Sequence, residues 1–319
     1  MLLQPLINEA RKIRDPRRQY GNLRHQLVSI VVIAFCAIIA KAEDYEDIEA
    51  FGVHHRKWLE GFLELPNGIP DQDTFRRLLE RLDPGELARC LYGWLAASRG
   101  GGQLVNIDGK TIRGSGNGKH AAYHVISAWV GETHITLGEL AVEEKSNEIP
   151  AIPRLLDLID IEGCTVTLDA MGCQKEIARR IEQKKARYCL ALKANQGTLY
   201  ESAKLYLDTL PAAQTATTHD KGHGRIETRQ YSLETDIDWL PGKADWKGLK
   251  AIGAVKSTVQ REGRTVVETR YYLTSLQTVD AFAAAVRGHW AIENQLHWRL
   301  DVTFGEDAAR QRKDNSPLN

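Results

Sequence analysis

The hydrophobic pattern of this 319-residue chain changes period at one point, the run Gly100-Gly101-Gly102, and that change constrains the fold more than any other feature. Before it the spacing is helical: Ile48, Phe51, Trp58, Leu59 and Phe62 recur on one helix face. Asp73 is expected to cap a short helix carrying Phe75, Leu78, Leu79 and Leu82. Asp83 and Pro84 supply the cap and first-turn proline of another. The apolar run Leu27 to Ala40 is shorter than the roughly 20 residues a bilayer span needs, so it reads as a buried core helix and no membrane partner is expected. Residues 1–99 are therefore a helical N-terminal domain, and the three flexible glycines are its boundary.

After the glycines the period becomes that of strands. Leu104 to Asp108, Tyr123 to Val130 and Thr133 to Val142 read as three consecutive strands, with a Gly131-Glu132 turn between the last two. A helix at Pro150 to Ile161, a strand at Cys164 to Leu168, a helix at Gln174 to Lys184, a strand at Tyr188 to Leu192 and a helix at Thr198 to Leu210 follow. Strands reached through helical crossovers predict a mixed sheet with helices on both faces, an α/β fold. From Pro211 the pattern is again β, with strands at Arg225 to Leu233, Leu249 to Thr258 and Thr265 to Thr274 and a turn at Glu262-Gly263. Asp280 is expected to cap the next helix, whose spacing runs on to Leu300. The expected organisation is a core of 103–210 and 280–319 interrupted by a β-rich insertion at 211–279.

Charge and cysteine content narrow the function. Basic and acidic side chains number 42 each, so any polyanion must be bound by local patches rather than a global field. Candidate patches are Arg11, Lys12, Arg14, Arg17, Arg18 and Arg24 at the N-terminus, Arg76, Arg77 and Arg81 on a short helix, and His223, Arg225 and Arg229 in the insertion. Lys193, Asn195 and Gln196 leave a strand at the expected site edge. For each group a solvated surface is the competing reading. Cys36, Cys90, Cys164, Cys173 and Cys189 are odd in number and contain no C-x-x-C pair, which excludes a zinc ribbon and points to a reducing cytoplasm. The opening MLLQPLINEARKIRDPRR lacks the order of a secretory signal.

Two acids stand where chemistry is expected. Asp108 ends the first strand after the glycines, and Asp169 follows the strand that ends at Leu168. If those strands are parallel neighbours the two carboxylates converge, and hard divalent cations could bridge them to phosphate oxygens. Glu293, framed by Trp290, Ile292 and Leu296 on a helix expected to be largely buried, is the candidate third ligand. It is separated from Asp301 by about 80° of helical rotation. Two metal ions held by such a trio stabilise the attacking and leaving oxygens of phosphodiester transfer. Taken singly, Asp108-Gly109 is also a turn signal and Asp169 a helix cap. A rival zinc site would use His289, Glu293 and His297, spaced four apart. Gly109-Lys110-Thr111 is not a phosphate-binding loop, because Leu104 stands where that loop needs glycine. Cys173 has no histidine partner to make it a nucleophile.

The segments VNIDGKTIRGS, VISAW, EKSNEIPAIPRLL, TLDAMGCQ, LALKANQ and RGHWAIENQLHWRLDVTFGEDAAR, together with GIPDQDTFRRLL, resemble the H-repeat-associated family of bacterial insertion-sequence transposases. The resemblance covers nearly the whole chain. It implies a ribonuclease-H-like mixed sheet flanked by helices, with catalytic and metal-binding roles for Asp108, Asp169 and Glu293. It also implies dependence on Mg²⁺, with Mn²⁺ as a substitute, and strand cleavage and transfer at insertion-sequence ends. The implied partners are double-stranded DNA, as terminal inverted repeats and target, and a second copy of the chain in a homodimer assembled on DNA. A cytoplasmic, nucleoid-associated location goes with that activity. Lys193, Asn195, Gln196, Arg225, His289 and Arg299 are the expected DNA contacts. Related transposases arrange a tyrosine, an arginine and a lysine around the glutamate, where this chain has Val286, His289 and Leu300. The alternative expectation is a copy truncated after Asn319, or repurposed, that binds DNA without catalysis.

Overall fold

The computed structural model describes residues 3–17, 23–96, 103–116, 122–142, 148–222, 224–262 and 264–308. The glycine run 100–102, Arg18, His223, Gly263 and residues 309–319 lie outside the described residues. The chain divides into two compact units, one of Met1–Arg99, Thr111–Val125 and His297–Asn319, the other of Gly100–Lys110 and Ile126–Leu296.

The first unit holds helices α1 (Gln4–Ala10), α2 (Leu27–Ile39), α3 (Tyr45–His54), α4 (Arg56–Leu59), α5 (Gln72–Leu79) and α6 (Pro84–Ala96). α2 is apolar nearly all round, and Ile30, Val32, Ile33 and Ala37 are buried, as expected of a helix at the centre of a bundle. Leu6, Leu59, Phe75, Leu78 and Leu82 complete the core around it. Among the described residues no helix is long and apolar enough to cross a membrane. The cap of α5 lies two residues before the expected one: Asp71 accepts the Thr74 N–H at 2.7 Å, while Asp73 sits in the first turn and pairs with Arg76 and Arg77. Asp83 does cap α6, accepting the Glu86 N–H at 2.8 Å.

The second unit is built on a nine-stranded sheet. Its elements are β1 (Leu104–Thr111), β2 (His124–Val130), β3 (Ile135–Val142), α7 (Glu148–Leu158), β4 (Thr165–Leu168), α8 (Lys175–Gln183), β5 (Arg187–Leu192), α9 (Thr198–Thr209), β6 (Gln214–Gly222), β7 (Arg225–Glu234), β8 (Ala251–Arg261), β9 (Arg264–Thr274) and α10 (Val279–His289). A π-helical turn, Ile292–His297, follows, and after it α11 (Trp298–Val302), which belongs to the first unit. The strand order is β3-β2-β1-β4-β5-β9-β8-β7-β6. β1, β4 and β5 are parallel, and β5 to β6 along that order are antiparallel. The residues expected as an insertion thus supply four strands that continue the same sheet, joined to it where β9 pairs with β5.

Alternation along the strands gives each face its own core. Val105, Ile107, Val166, Leu168, Tyr188 and Leu190 pack with Ile152, Leu155, Ile177 and Ile181 beneath α7 and α8. On the other face Cys189, Tyr231, Leu233, Val255 and Tyr272 pack beneath Phe282, Ala285 and Val286 of α10. α10 is capped by Thr278, whose hydroxyl accepts the Ala281 N–H, rather than by Asp280. Gly253 of β8 lies under it: a Cβ there would stand 2.5 Å from the Phe282 ring. All five cysteines are buried and unpaired.

Candidate active site on the α10 face of the sheet

β1 and β4 pair in parallel register, Asn106 opposite Thr167 and Ile107 opposite Leu168. That pair closes the register; Asp108 and Asp169 are the next residues along each chain, and alternation turns Asp108 toward the face that α10 covers, where it feels the Asp169 charge. β1 does not end at Asp108 but runs on to Thr111, so Asp108-Gly109 is strand and not a turn. Asp169 lies just past β4, and its Oδ1 accepts the N–H groups of Met171 and Gly172 at 2.9 and 3.1 Å. Two charge-assisted bonds to one oxygen fix the carboxylate and leave Oδ2 for other partners.

Asp108 feels three further acids. Burial pushes its carboxyl up to about 7, against a lowering bond from the Gly109 N–H, and the charges of Glu293, Asp169 and Glu148 push it further in the same direction. Glu148, buried at the start of α7, was not among the expected site residues. It lies in the EKSNEIP segment, but nothing in its spacing links it to Asp108.

Asp169, Lys193, His289 and Glu293 line one cleft of about 200 Å³, with Arg270, Glu268 and Trp290 at its polar rim and Cys189, Ala191 and Val286 among its apolar lining. Strand register explains the basic side. Leu192 pairs with Tyr271, and the next residues along the two chains, Lys193 and Arg270, both line the cleft with Asp169. Arg270 stacks over the Trp290 ring at 4.6 Å and pairs with Glu268 at 2.8 Å, which holds the Glu268 carboxyl below its usual range. An arginine on β9, 23 positions before Glu293, carries no sequence signal as a site residue.

His289, at the end of α10, bonds through Nδ1 to the Thr167 hydroxyl at 2.8 Å. Burial lowers its pKa to about 4 in spite of the nearby Asp169 charge, so the ring is neutral at physiological pH. Glu293 is exposed, not buried among Trp290, Ile292 and Leu296; Ile292 is buried while Trp290 is 40% exposed. From Ile292 to His297 the chain forms a π turn, which departs from the α-helical spacing on which that expectation rested. The same departure takes His289, Glu293 and His297 off a common α-helical face. Among the described residues no three His, Cys, Asp or Glu side chains stand close enough to hold an ion by themselves.

Other expected DNA contacts are distributed differently. Asn195 donates to the Ala170 carbonyl at 3.0 Å and Gln196 to that of Cys173 at 2.6 Å, so both amides tie the loop after β5 to the loop that carries Asp169. Arg225, on β7, is four strands from β4, roughly 19 Å at the usual strand spacing. Arg299 is exposed on α11, in the first unit. At the N-terminus Lys12 pairs with Glu9, and Arg17 with Asp15.

Comparison with known proteins accords with this architecture. Residues 99–316 match the transposase DDE domain, and residues 8–95 match the DDE_Tnp_1-associated domain. The chain is 39% identical to "Putative transposase YncI" of Escherichia coli O157:H7, over 99% of this chain and 84% of that protein. It is 41% identical to "Uncharacterized protein in dhlA 3'region" of Xanthobacter autotrophicus, over 82% of this chain and 92% of that protein. With "H repeat-associated putative transposase YhhI" of Escherichia coli K12 it shares 36% identity, over 99% of this chain and 87% of that one. A domain match spanning more than half the chain, and near-complete alignments above 30% identity, make this chain a member of the DDE transposase family, alongside the H-repeat-associated transposases.

Proposed function

We propose that this protein cuts and rejoins DNA at the ends of an insertion sequence, on a ribonuclease-H-like core, with Asp108, Asp169 and Glu293 as its catalytic acids. The observation that carries this proposal is that Asp108 and Asp169 directly follow the last registered pair of two parallel strands, Asp108 feeling the charges of both Asp169 and Glu293, which line one cleft. The donor set suits Mg²⁺ or Mn²⁺: it is all oxygen, and the other acids around Asp108 oppose its ionisation in a way a cation would relieve. Mg²⁺ commonly takes one or two protein carboxylates and completes its shell with water and substrate phosphate, so carboxylates that do not form a closed cage suit it. Bound by Asp108, Asp169 and Glu293, divalent ions supply charge neutralisation at the scissile phosphate.

The chain's own groups do the rest. Asp169 keeps its orientation through the Met171 and Gly172 amides. Lys193 and Arg270, opposite the acids, bind backbone phosphates, and Asn195 and Gln196 hold the loops that present Lys193 and Asp169. Neutral His289 adds no charge to the acidic side. The partners are double-stranded DNA, as element ends and target, and a second copy of the chain on that DNA.

The test is incubation of purified protein with a duplex carrying its own element end. Strand cleavage in Mg²⁺ or Mn²⁺, absent in EDTA and in Asp108→Asn and Asp169→Asn, is the expected result. Retardation of the duplex that weakens with salt, without product in either metal, would instead leave a DNA-binding protein without catalysis.

A further inference from the structure

We infer that His289 is a positioning residue: through Thr167 it fixes the end of α10, and with it Glu293, against the strand pair that carries Asp108 and Asp169. The inference rests on the catalytic role proposed for those three acids.

One rung beneath Asp108 and Asp169, the registered pair Asn106 and Thr167 is buried, at 0% and 2% exposure. Their neighbours on the same strands, Val105, Ile107, Val166 and Leu168, are all apolar core. Thr167 donates its hydroxyl proton to Asn106 Oδ1 at 2.7 Å. Having one proton, the hydroxyl can only accept from His289, so Nδ1 carries the hydrogen and Nε2 is the ring's remaining acceptor. The chain Asn106, Thr167, His289 thus runs from β1 through β4 to α10. Asn106 Nδ2 has no partner among the described residues, so this buried polar chain is retained at a cost in stability.

The residue before His289 supplies an independent observation. A Cβ on Gly288 would stand 2.1 Å from Leu104 Cδ2, so the end of α10 approaches the start of β1 at a distance only glycine allows without a shift of Leu104. Two consecutive residues are therefore shaped for the β1–β4 contact. Just beyond, the helix leaves α geometry, with Trp290 as its C-cap and the π turn beginning at Ile292. His289 is the last α-helical anchor before Glu293, and its Nδ1 is committed inward.

The experiment separates the two ring nitrogens, because asparagine reproduces the Nδ1 donor of histidine and glutamine the Nε2 position. Using the full chain and a duplex carrying its element end, His289→Ala and Thr167→Val are expected to slow cleavage by about 10- to 100-fold. Both also raise the Mn²⁺ concentration for half-maximal rate, while binding of the same duplex in Ca²⁺ is unchanged. His289→Asn recovers most of the loss and His289→Gln does not. Thr167→Ser, which keeps the hydroxyl, behaves as wild type and separates loss of the bond from loss of the fold. In histidine-labelled wild-type protein, nitrogen-15 NMR reads the Nδ1–H tautomer at His289. An Nε2–H tautomer, a better rescue by glutamine than by asparagine, or weakened duplex binding in Ca²⁺ overturns the inference. If Asp108→Asn, Asp169→Asn and Glu293→Gln all cleave normally, the catalytic reading fails and takes the inference with it. If they are inactive while the His289 and Thr167 variants are normal, only the inference fails.

Discussion

The parallel and antiparallel halves of the sheet solve different problems with the same backbone. β4 has four residues, all buried, and β5 is buried along most of its length. β8 and β9 have eleven residues each and pass from core to solvent within one strand: Ala251 to Val255 are buried, whereas Val266 and Val267 are 64% and 53% exposed. Parallel neighbours also run in the same direction, so Asp108 and Asp169 both follow the last registered pair, Asp169 just past the end of β4 and Asp108 on a strand that continues. In the antiparallel half each edge alternates strand ends. It contributes Glu268, Arg270 and Tyr272 from partway along β9, and its other strands extend the sheet away from the site. The contrast teaches that the acids are carried from the part of the sheet whose central strands are buried, β4 throughout and β5 along most of its length.

The largest expected effect is on chemistry. Asp108→Asn or Asp169→Asn should lower cleavage by about three orders of magnitude, on the scale of several kcal/mol for metal-assisted charge stabilisation, in a single-turnover assay. Arg225→Ala, on the antiparallel side, should stay within about tenfold; equal losses would erase the distinction between the halves.

Stability should divide the same way. Leu190→Ala on β5 should cost about 2–5 kcal/mol in denaturant unfolding, and Val267→Ala on the outer part of β9 no more than about 0.5 kcal/mol. A large cost at Val267 would mean that the outer strands are covered in solution. Smaller, about 1–3 kcal/mol, is the effect of Gly253→Ala, whose Cβ would collide with the rigid Phe282 ring. Phe282→Leu in the same chain should relieve part of it.

The subtlest test is pH. The folded chain holds Asp108 protonated up to about 7, while an unfolded aspartate ionises near its ordinary value of 3.8. Between those values the folded state binds more protons, so stability of the metal-free protein should fall as pH rises from about 4 to about 7. Asp108→Asn should remove that part of the slope and raise Tm more at pH 8 than at pH 5. An unchanged slope would show that Asp108 ionises freely beside the other acids.

What the sequence revealed, and what it hid, follows from how local each signal is. The helical N-terminal region and the alternation of β1, β4 and β5 with helices were legible, because core-facing residues repeat with the period of their own element. Caps were displaced: Asp71 and Thr278, not Asp73 and Asp280, accept the first amides. An acid in the first turn is also favoured by the helix dipole, so composition alone does not say which residue is the cap. β6 reads Gln-Thr-Ala-Thr-Thr-His-Asp-Lys-Gly, too polar to register as a strand, because it is an edge strand exposed along most of its length. At the proposed site, Asp108, Asp169 and Glu293 were singled out from expected strand ends and from motif, although β1 runs on past Asp108. Glu148 and Arg270 were not, since only the sheet's register and the packing of α7 bring them near. The π turn had no signal at all, and the burial expected for Glu293 failed with it.

Because β1 continues through Asp108 to Thr111, that acid has no hinge on either side. Its backbone belongs to a paired strand of the central sheet, and the side chain adds two torsions. Asp169 stands on a loop whose Met171 and Gly172 amides hold its carboxylate, and Glu293 on the wide helical turn that follows α10. The three acids are thus carried by three kinds of backbone, a paired strand, a loop and a helical turn, so no single substitution in one element removes the support of all three.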